Sequence, residues 1–179
     1  VTQASHVLAA AFADDPFISY FWPDPARRRK ALPGFWASRI ASRERHGLVD
    51  VARDPSGDIA AVALWEPEGV TSAPIARPYS LIRALGTALP RALSASHRVD
   101  ATRPSADHLY LAVIGTRPDV RGQGYARQLL EPRLAEADLA FLVATDFANV
   151  PFYERLGFRR DADLAIPGGP VLYPMRRTA

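Results

Sequence analysis

Cysteine is absent from the 179 residues. That removes disulfides, thiolate metal ligands and any cysteine-linked acyl intermediate together. Lysine is nearly absent as well. Lys30 is the only one, so the formal charge of +3 is carried by arginine. An arginine- and alanine-rich, lysine-poor composition is what a GC-rich genome gives, and the basic balance suits a polyanionic small molecule or a nucleic acid alike. Long apolar runs are missing too. Hydrophobic residues make up 48% of the chain, yet no run approaches the roughly 20 residues of a membrane helix. The start carries no secretory pattern, and there is no internal repeat or low-complexity segment. The expectation is one domain over residues 1–179, cytoplasmic, without membrane attachment, and long enough to bury a core unaided.

What is present concentrates between His108 and Phe158. An apolar run, Leu109 to Ile114, predicts a strand. Arg121-Gly122-Gln123-Gly124-Tyr125-Ala126 follows as a glycine loop, and Ala126, Leu129, Leu130, Leu134 and Ala137 recur at helical spacing. A second apolar run, Ala140 to Ala144, leads to Asn149-Val150-Pro151-Phe152-Tyr153-Glu154-Arg155-Leu156-Gly157-Phe158. The order is strand, glycine loop, helix, strand, helix. Glycines let a backbone approach a ligand closely, and the unpaired N–H groups of the following helix end favour a phosphate. A Walker A loop is excluded because no Gly-Lys-Ser/Thr closes it. The dinucleotide fingerprint is excluded because its third glycine and the acidic ribose ligand are missing.

Elsewhere, Ser5 to Ala13 predicts a short helix capped by Ser5 and ended by Asp14-Asp15-Pro16. The aromatic run Phe17, Tyr20, Phe21, Trp22 follows. Asp24-Pro25 predicts a helix start, with the stop near His46-Gly47 and a kink or break at Pro33. Arg27 to Lys30 reads as a solvated face of that helix. Leu48–Arg53 and Ile59–Glu66 predict an antiparallel pair. Tyr79 to His97 predicts a helix pair broken near Pro90, and Arg98 to Asp107 a polar linker. Pro132 leaves the Gln128 carbonyl without a helical donor. Arg159 to Ile166 and Val171 to Met175 predict a hairpin about Pro167-Gly168-Gly169-Pro170.

Arg-x-x-Gly-x-Ala after an apolar strand, then Asn-x-x-x-Tyr-x-x-x-Gly-Phe one helix and one strand later, resembles the GNAT N-acetyltransferases. The likeness covers at least residues 108–177. It extends over nearly the whole chain in puromycin N-acetyltransferase-like enzymes of actinobacteria, on Leu8 to Asp14, Phe152 to Phe158 and Pro167 to Pro170. The resemblance implies an α/β (α+β) fold, with a central mixed, mostly antiparallel sheet splayed at an acetyl-CoA site and flanked by helices. Val1 begins about where the family's opening strand ends, so the expectation is that this strand either lies before the given residues or is missing from the sheet.

The resemblance also implies transfer of an acetyl group from acetyl-CoA to an amine of a small molecule, antibiotic or aminoacyl-like, by direct attack in a ternary complex. The backbone of Ile114, Gly115 and Thr116 would hold the pantetheine arm and the thioester oxygen. Arg121, Gly122, Gln123, Gly124, Tyr125 and Ala126 would take the pyrophosphate, with Arg121 adding charge. Asn149 would touch the pantetheine arm or cap the next helix. Tyr153 would serve the leaving sulfur, with Phe152 in the core. An alkylamine of pKa near 10 is neutral about one part in a thousand at pH 7, a deficit of roughly 4 kcal/mol, so a base is useful. His108 stands where histone-type relatives carry a glutamate base. Glu66 and Asp107 are weaker candidates. No metal is expected, no nucleic-acid partner, and a monomer or homodimer. The alternatives are a protein or peptide amine acetyltransferase, a CoA-binding regulatory domain without turnover, and a nucleic-acid binder using residues 27–30.

Overall fold

The computed structural model describes residues 2–44, 48–66 and 78–179. The seven strands of the described residues form a mixed, mostly antiparallel sheet with helices on both faces. The first helices are α1 (Thr2–Ala11), α2 (Pro16–Phe21) and α3 (Pro25–Glu44), followed by β1 (Val49–Arg53) and β2 (Ile59–Glu66). Then come α4 (Pro78–Leu85), α5 (Leu89–Asp100), β3 (Leu109–Thr116), α6 (Tyr125–Glu136), β4 (Leu139–Ala144) and α7 (Val150–Glu154). The short β5 (Arg159–Arg160) and β6 (Leu164–Ala165) lead to β7 (Val171–Thr178). The strand order is β1-β2-β3-β4-β7-β5, with β6 also on β7. Only β3 and β4 pair in parallel; the other pairs are antiparallel.

β2 shows why the sheet sits in the middle. Every one of its eight residues is buried. Side chains alternate across a strand, so Val62 and Leu64 pack with α1 to α5 while Ala61, Ala63 and Trp65 pack with α6 and α7. Polar ties fix α6 against β1. Asp50 accepts from Arg133 at 2.8 and 2.9 Å and from the Trp65 indole at 2.9 Å.

Several expectations change. Ser5 does not cap α1; it is buried within the helix, and its hydroxyl donates to the Thr2 carbonyl at 2.9 Å. Asp15 does not simply end a helix. It caps the next one, accepting from the N–H groups of Phe17 and Ile18 at 2.9 Å each, so the aromatic run is the helix α2. Asp24 caps α3 through Ala26 and Arg27, and α3 runs through Pro33 without a break. The expected stop at His46-Gly47 lies outside the described residues. The break after α4 falls at a short 3-10 turn, Gly86–Ala88, where Gly86 has φ +52°, and Pro90 sits in the first turn of α5. α6 likewise continues through Pro132.

The basic run 27–30 divides. Arg27, Arg29 and Lys30 are exposed, but Arg28 is buried, donates to the carbonyls of Ala13 and Trp22, and lies 3.6 Å from Asp14. Arg28 therefore anchors the α1–α2 turn instead of joining a solvated face. No helix among the described residues is long and apolar enough to cross a membrane.

Candidate functional site

The site begins where β3 and β4 part. Their pairing covers only Leu109–Leu111 against Ala140–Leu142. β3 runs on to Thr116 with β2 alone beside it. The β2 register jumps from Leu64↔Val113 to Trp65↔Leu111, so Ala112 is the extra residue of a bulge that bends β3 where the gap opens. On the side away from β2, alternate N–H and C=O groups of Val113 to Thr116 are left without a strand partner. Gly115 is required by the close approach of α1. A Cβ there would meet Leu8 at 2.9 Å, Ala11 at 3.0 Å and Phe12 at 3.1 Å.

Past Thr116, Arg117 pins the chain by pairing Asp54 at 2.8 Å and Asp119 at 2.7 Å. The loop then needs two left-handed residues, Gly122 at φ +80° and Gly124 at φ +88°. Gly124 is the N-cap of α6 and offers no side-chain cap. The first-turn N–H groups of Tyr125, Ala126 and Arg127 therefore remain open, with the positive end of the helix behind them. The Arg121 guanidinium donates to the Ala11 carbonyl at 2.9 Å and ties the loop to the end of α1.

Across the gap, Asp146 caps the turn before α7 by accepting from the Ala148 N–H at 2.9 Å. Asn149 makes no side-chain cap bond and lines the cavity, so its expected capping role is filled by Asp146. The Tyr153 ring is 8% exposed and packs edge-on against Phe152 and Phe158, with centroids 5.2 and 6.1 Å away. Burial first, and the charge of Asp15 second, push the Tyr153 phenol above its ordinary pKa, so it stays protonated at neutral pH. Asp15, held on Oδ1 by α2, also accepts on Oδ2 from the Thr145 hydroxyl.

These elements line an open cavity of about 840 Å³, within the range of small-molecule and cofactor sites. The structure brings to its wall Ile114, Gly115, Thr116, Arg121, Gly122, Gly124, Tyr125, Ala126, Asn149 and Tyr153. Gln123 is not on the wall; it is exposed, and its N–H is turned to the Val120 carbonyl at 3.4 Å. Phe152, expected in the core, is half-buried and lines the cavity.

His108 stands elsewhere. It is buried just before β3, outside the cavity wall, with Nδ1 at 2.8 Å from the Ala106 carbonyl and Nε2 accepting from Arg103 Nε at 3.2 Å. Arg103 also pairs with Glu66 at 2.8 Å and lies over the Tyr110 ring at 4.2 Å. Glu66 is buried and its other oxygen accepts from fully buried Arg43, so both oxygens are held by guanidinium groups. Asp107 is exposed. Sequence reasoning passed over the α1–α2 turn. Phe12, Asp14 and Asp15 all line the cavity, and the signal for Asp15 was present in Asp-Pro, the sequence of a cap before a helix.

Residues 86–160 match the model of the acetyltransferase (GNAT) domain. The fold also matches a solved protein described as histone acetyltransferase HPA2 and related acetyltransferase from Corynebacterium glutamicum, 27% identical. That match covers 99% of this chain and 90% of the other, at a TM-score of 0.75. The fold is that of the GNAT acetyltransferases. The Drosophila melanogaster polyamine N-acetyltransferase shares it at 18% identity over 99% and 94% of the two chains, with a TM-score of 0.64. Chaetomium thermophilum Naa20, solved with a bisubstrate analogue, shares it at 20% identity over 97% and 80%, with a TM-score of 0.56. With this domain in this fold the chain is an acyl-CoA-dependent N-acetyltransferase, and acetyl-CoA is its cosubstrate. The donors at the site fit that molecule. Uncapped N–H groups at α6 suit a diphosphate, and the bare β3 edge suits an amide-bearing arm.

Proposed function

We propose that the acceptor is the amine of a small molecule, and that acetyl passes to it directly inside the cavity between β3, β4 and the α1–α2 turn. The observation that carries this reading is the continuity of one cleft. One cavity joins the α6 N-terminus to Tyr153, and its wall on the far side is made by Phe12, Asp14 and Asp15. Carboxylates at that end suit an acceptor that arrives as a cation. The antibiotic- or aminoacyl-like acceptors of the puromycin N-acetyltransferase-like enzymes are within this class, as are simple polyamines.

In this reading the loop Arg121 to Ala126 holds the diphosphate through backbone N–H groups. Ile114 to Thr116 hydrogen-bond the arm and aim an N–H at the thioester oxygen as charge develops there. Asn149 supports the arm from the opposite side. The amine nitrogen forms its bond to the acetyl carbon, and the carbon–sulfur bond breaks. The Tyr153 hydroxyl then meets the departing sulfur. A phenol of ordinary pKa ~10 is a weaker acid than a thiol of ~8.5, so full proton transfer is uphill by about 2 kcal/mol even before burial raises the phenol further. Tyr153 therefore acts by donating a hydrogen bond to the developing thiolate.

A screen of acceptors with free-thiol detection tests the proposal. Small mono- and polyamines should drive thiol release, while peptide N-termini and lysine side chains should not. Release driven only by peptides would make the chain a protein acetyltransferase. Acetyl-CoA binding without release by any amine would make it a regulatory binding domain.

A further inference from the structure

Asp15 has lone pairs to spare and a place to use them. Its Oδ1 accepts from two backbone N–H groups at the start of α2, which fills that oxygen. Its Oδ2 accepts from the Thr145 hydroxyl alone, which leaves one lone pair free. Thr145 directly follows β4 and Asp15 directly precedes α2, so this bond ties the end of β4 to the α1–α2 turn that lines the cavity. The carboxylate is thus fixed in orientation, half-buried, and on the same cavity wall as Tyr153. His108, Glu66 and Asp107 are not on that wall.

We infer that Asp15 is the carboxylate that receives the incoming ammonium and takes its proton. The inference rests on the small-amine reading above. A nitrogen passing from ammonium to amide sheds two protons. One is taken by Asp15 Oδ2, directly or through one water, and is released to solvent. The freed lone pair forms the N–C bond, the C–S bond breaks, and the second proton ends on the sulfur. Burial, the first cause, lifts the Asp15 carboxyl above its ordinary pKa, and neighbouring Asp146 adds to this. The hydrogen bonds from Thr145, Ile18 and Phe17 act the other way. A carboxylate so raised is a better match for an amine's proton than a free one. The other charges at the cavity are Asp14, which pairs with Arg28, Asp146 in the turn before α7, and Arg121, Arg127 and Arg155 on the loop, α6 and α7 side.

The test is Asp15→Asn, because asparagine caps helices as well as aspartate and should leave α2 folded. Two acceptors are compared in the purified full chain: a primary alkylamine, cationic at pH 7, and a hydrazide, neutral at pH 7. For the alkylamine kcat/KM should fall about 10²-fold at pH 7, and the gap should narrow as pH rises towards ~10 and free amine accumulates. For the hydrazide the loss should stay below about threefold, as suits a base the acceptor no longer needs. Thr145→Val, which removes a donor to the ionised carboxylate, should move the wild-type acid limb to higher pH. Equal losses on both acceptors, or no loss on either, would overturn the assignment while thiol release by the wild type upholds the acetyltransferase reading. No amine-dependent release by the wild type would overturn both.

Discussion

Arg103 donates its Nε–H to Nε2 of His108 across 3.2 Å, and the other ring nitrogen of His108 faces the Ala106 carbonyl at 2.8 Å. Both nitrogens are spent on holding the segment before β3. His108→Ala should therefore lower thermal stability and reduce kcat/KM by the same factor at every pH. Parallel pH–rate profiles of the two proteins with one amine check this. Recovery of the variant at high pH would restore His108 as the base.

The same network predicts a large stability effect with little chemistry in it. Arg43 is fully buried, and burial pulls its guanidinium down to a pKa of about 10 despite the Glu66 carboxylate beside it. Glu66→Gln leaves that cation without its counter-charge. The cost should be about 3–5 kcal/mol, as for other broken buried pairs, which for a chain of this size lowers Tm on the order of 10 °C. Urea and thermal unfolding measure it. A change under about 1 kcal/mol would mean that water already reaches the pair.

Gly124 should matter through its backbone. At φ +88° an added Cβ meets nothing within 4 Å, so the strain is conformational rather than steric. Gly124→Ala should cost about 1–2 kcal/mol in the left-handed conformation and, if the loop turns its N–H groups away to relieve it, weaken acetyl-CoA about tenfold. Gly34→Ala, in open space within α3 at an ordinary φ, is the control and should leave affinity unchanged. Calorimetry on the two variants separates the effects. Equal affinities would detach the loop from diphosphate binding.

The parts of the site written in adjacent residues were legible in the sequence. The glycine loop, the apolar strands either side of it and the Tyr153 helix are local patterns, and each declares its own backbone geometry. The parts made by distant pairs were not. His108 looked available because nothing nearby in sequence claims it. Glu66 looked like a spare base at a strand end, yet Arg43 and Arg103 reach it from 23 and 37 residues away. Asp15 read as a helix stop because its partner Thr145 lies 130 residues on. Arg28 was hidden in a run of four cations, where position on the helix, not composition, decides which one turns inward.

Tyr153→Phe reaches the centre of the account, since phenylalanine keeps the ring against Phe152 and Phe158 and removes only the hydroxyl. Initial rates of thiol release are followed for wild type and variant with one small amine at saturating acetyl-CoA, alongside acetyl-CoA affinity by calorimetry. Amine-dependent release should slow about 10²-fold or more in the variant, as for the loss of one donor to developing charge, with affinity unchanged. Equal rates under conditions where chemistry limits turnover would contradict it and leave Tyr153 as packing.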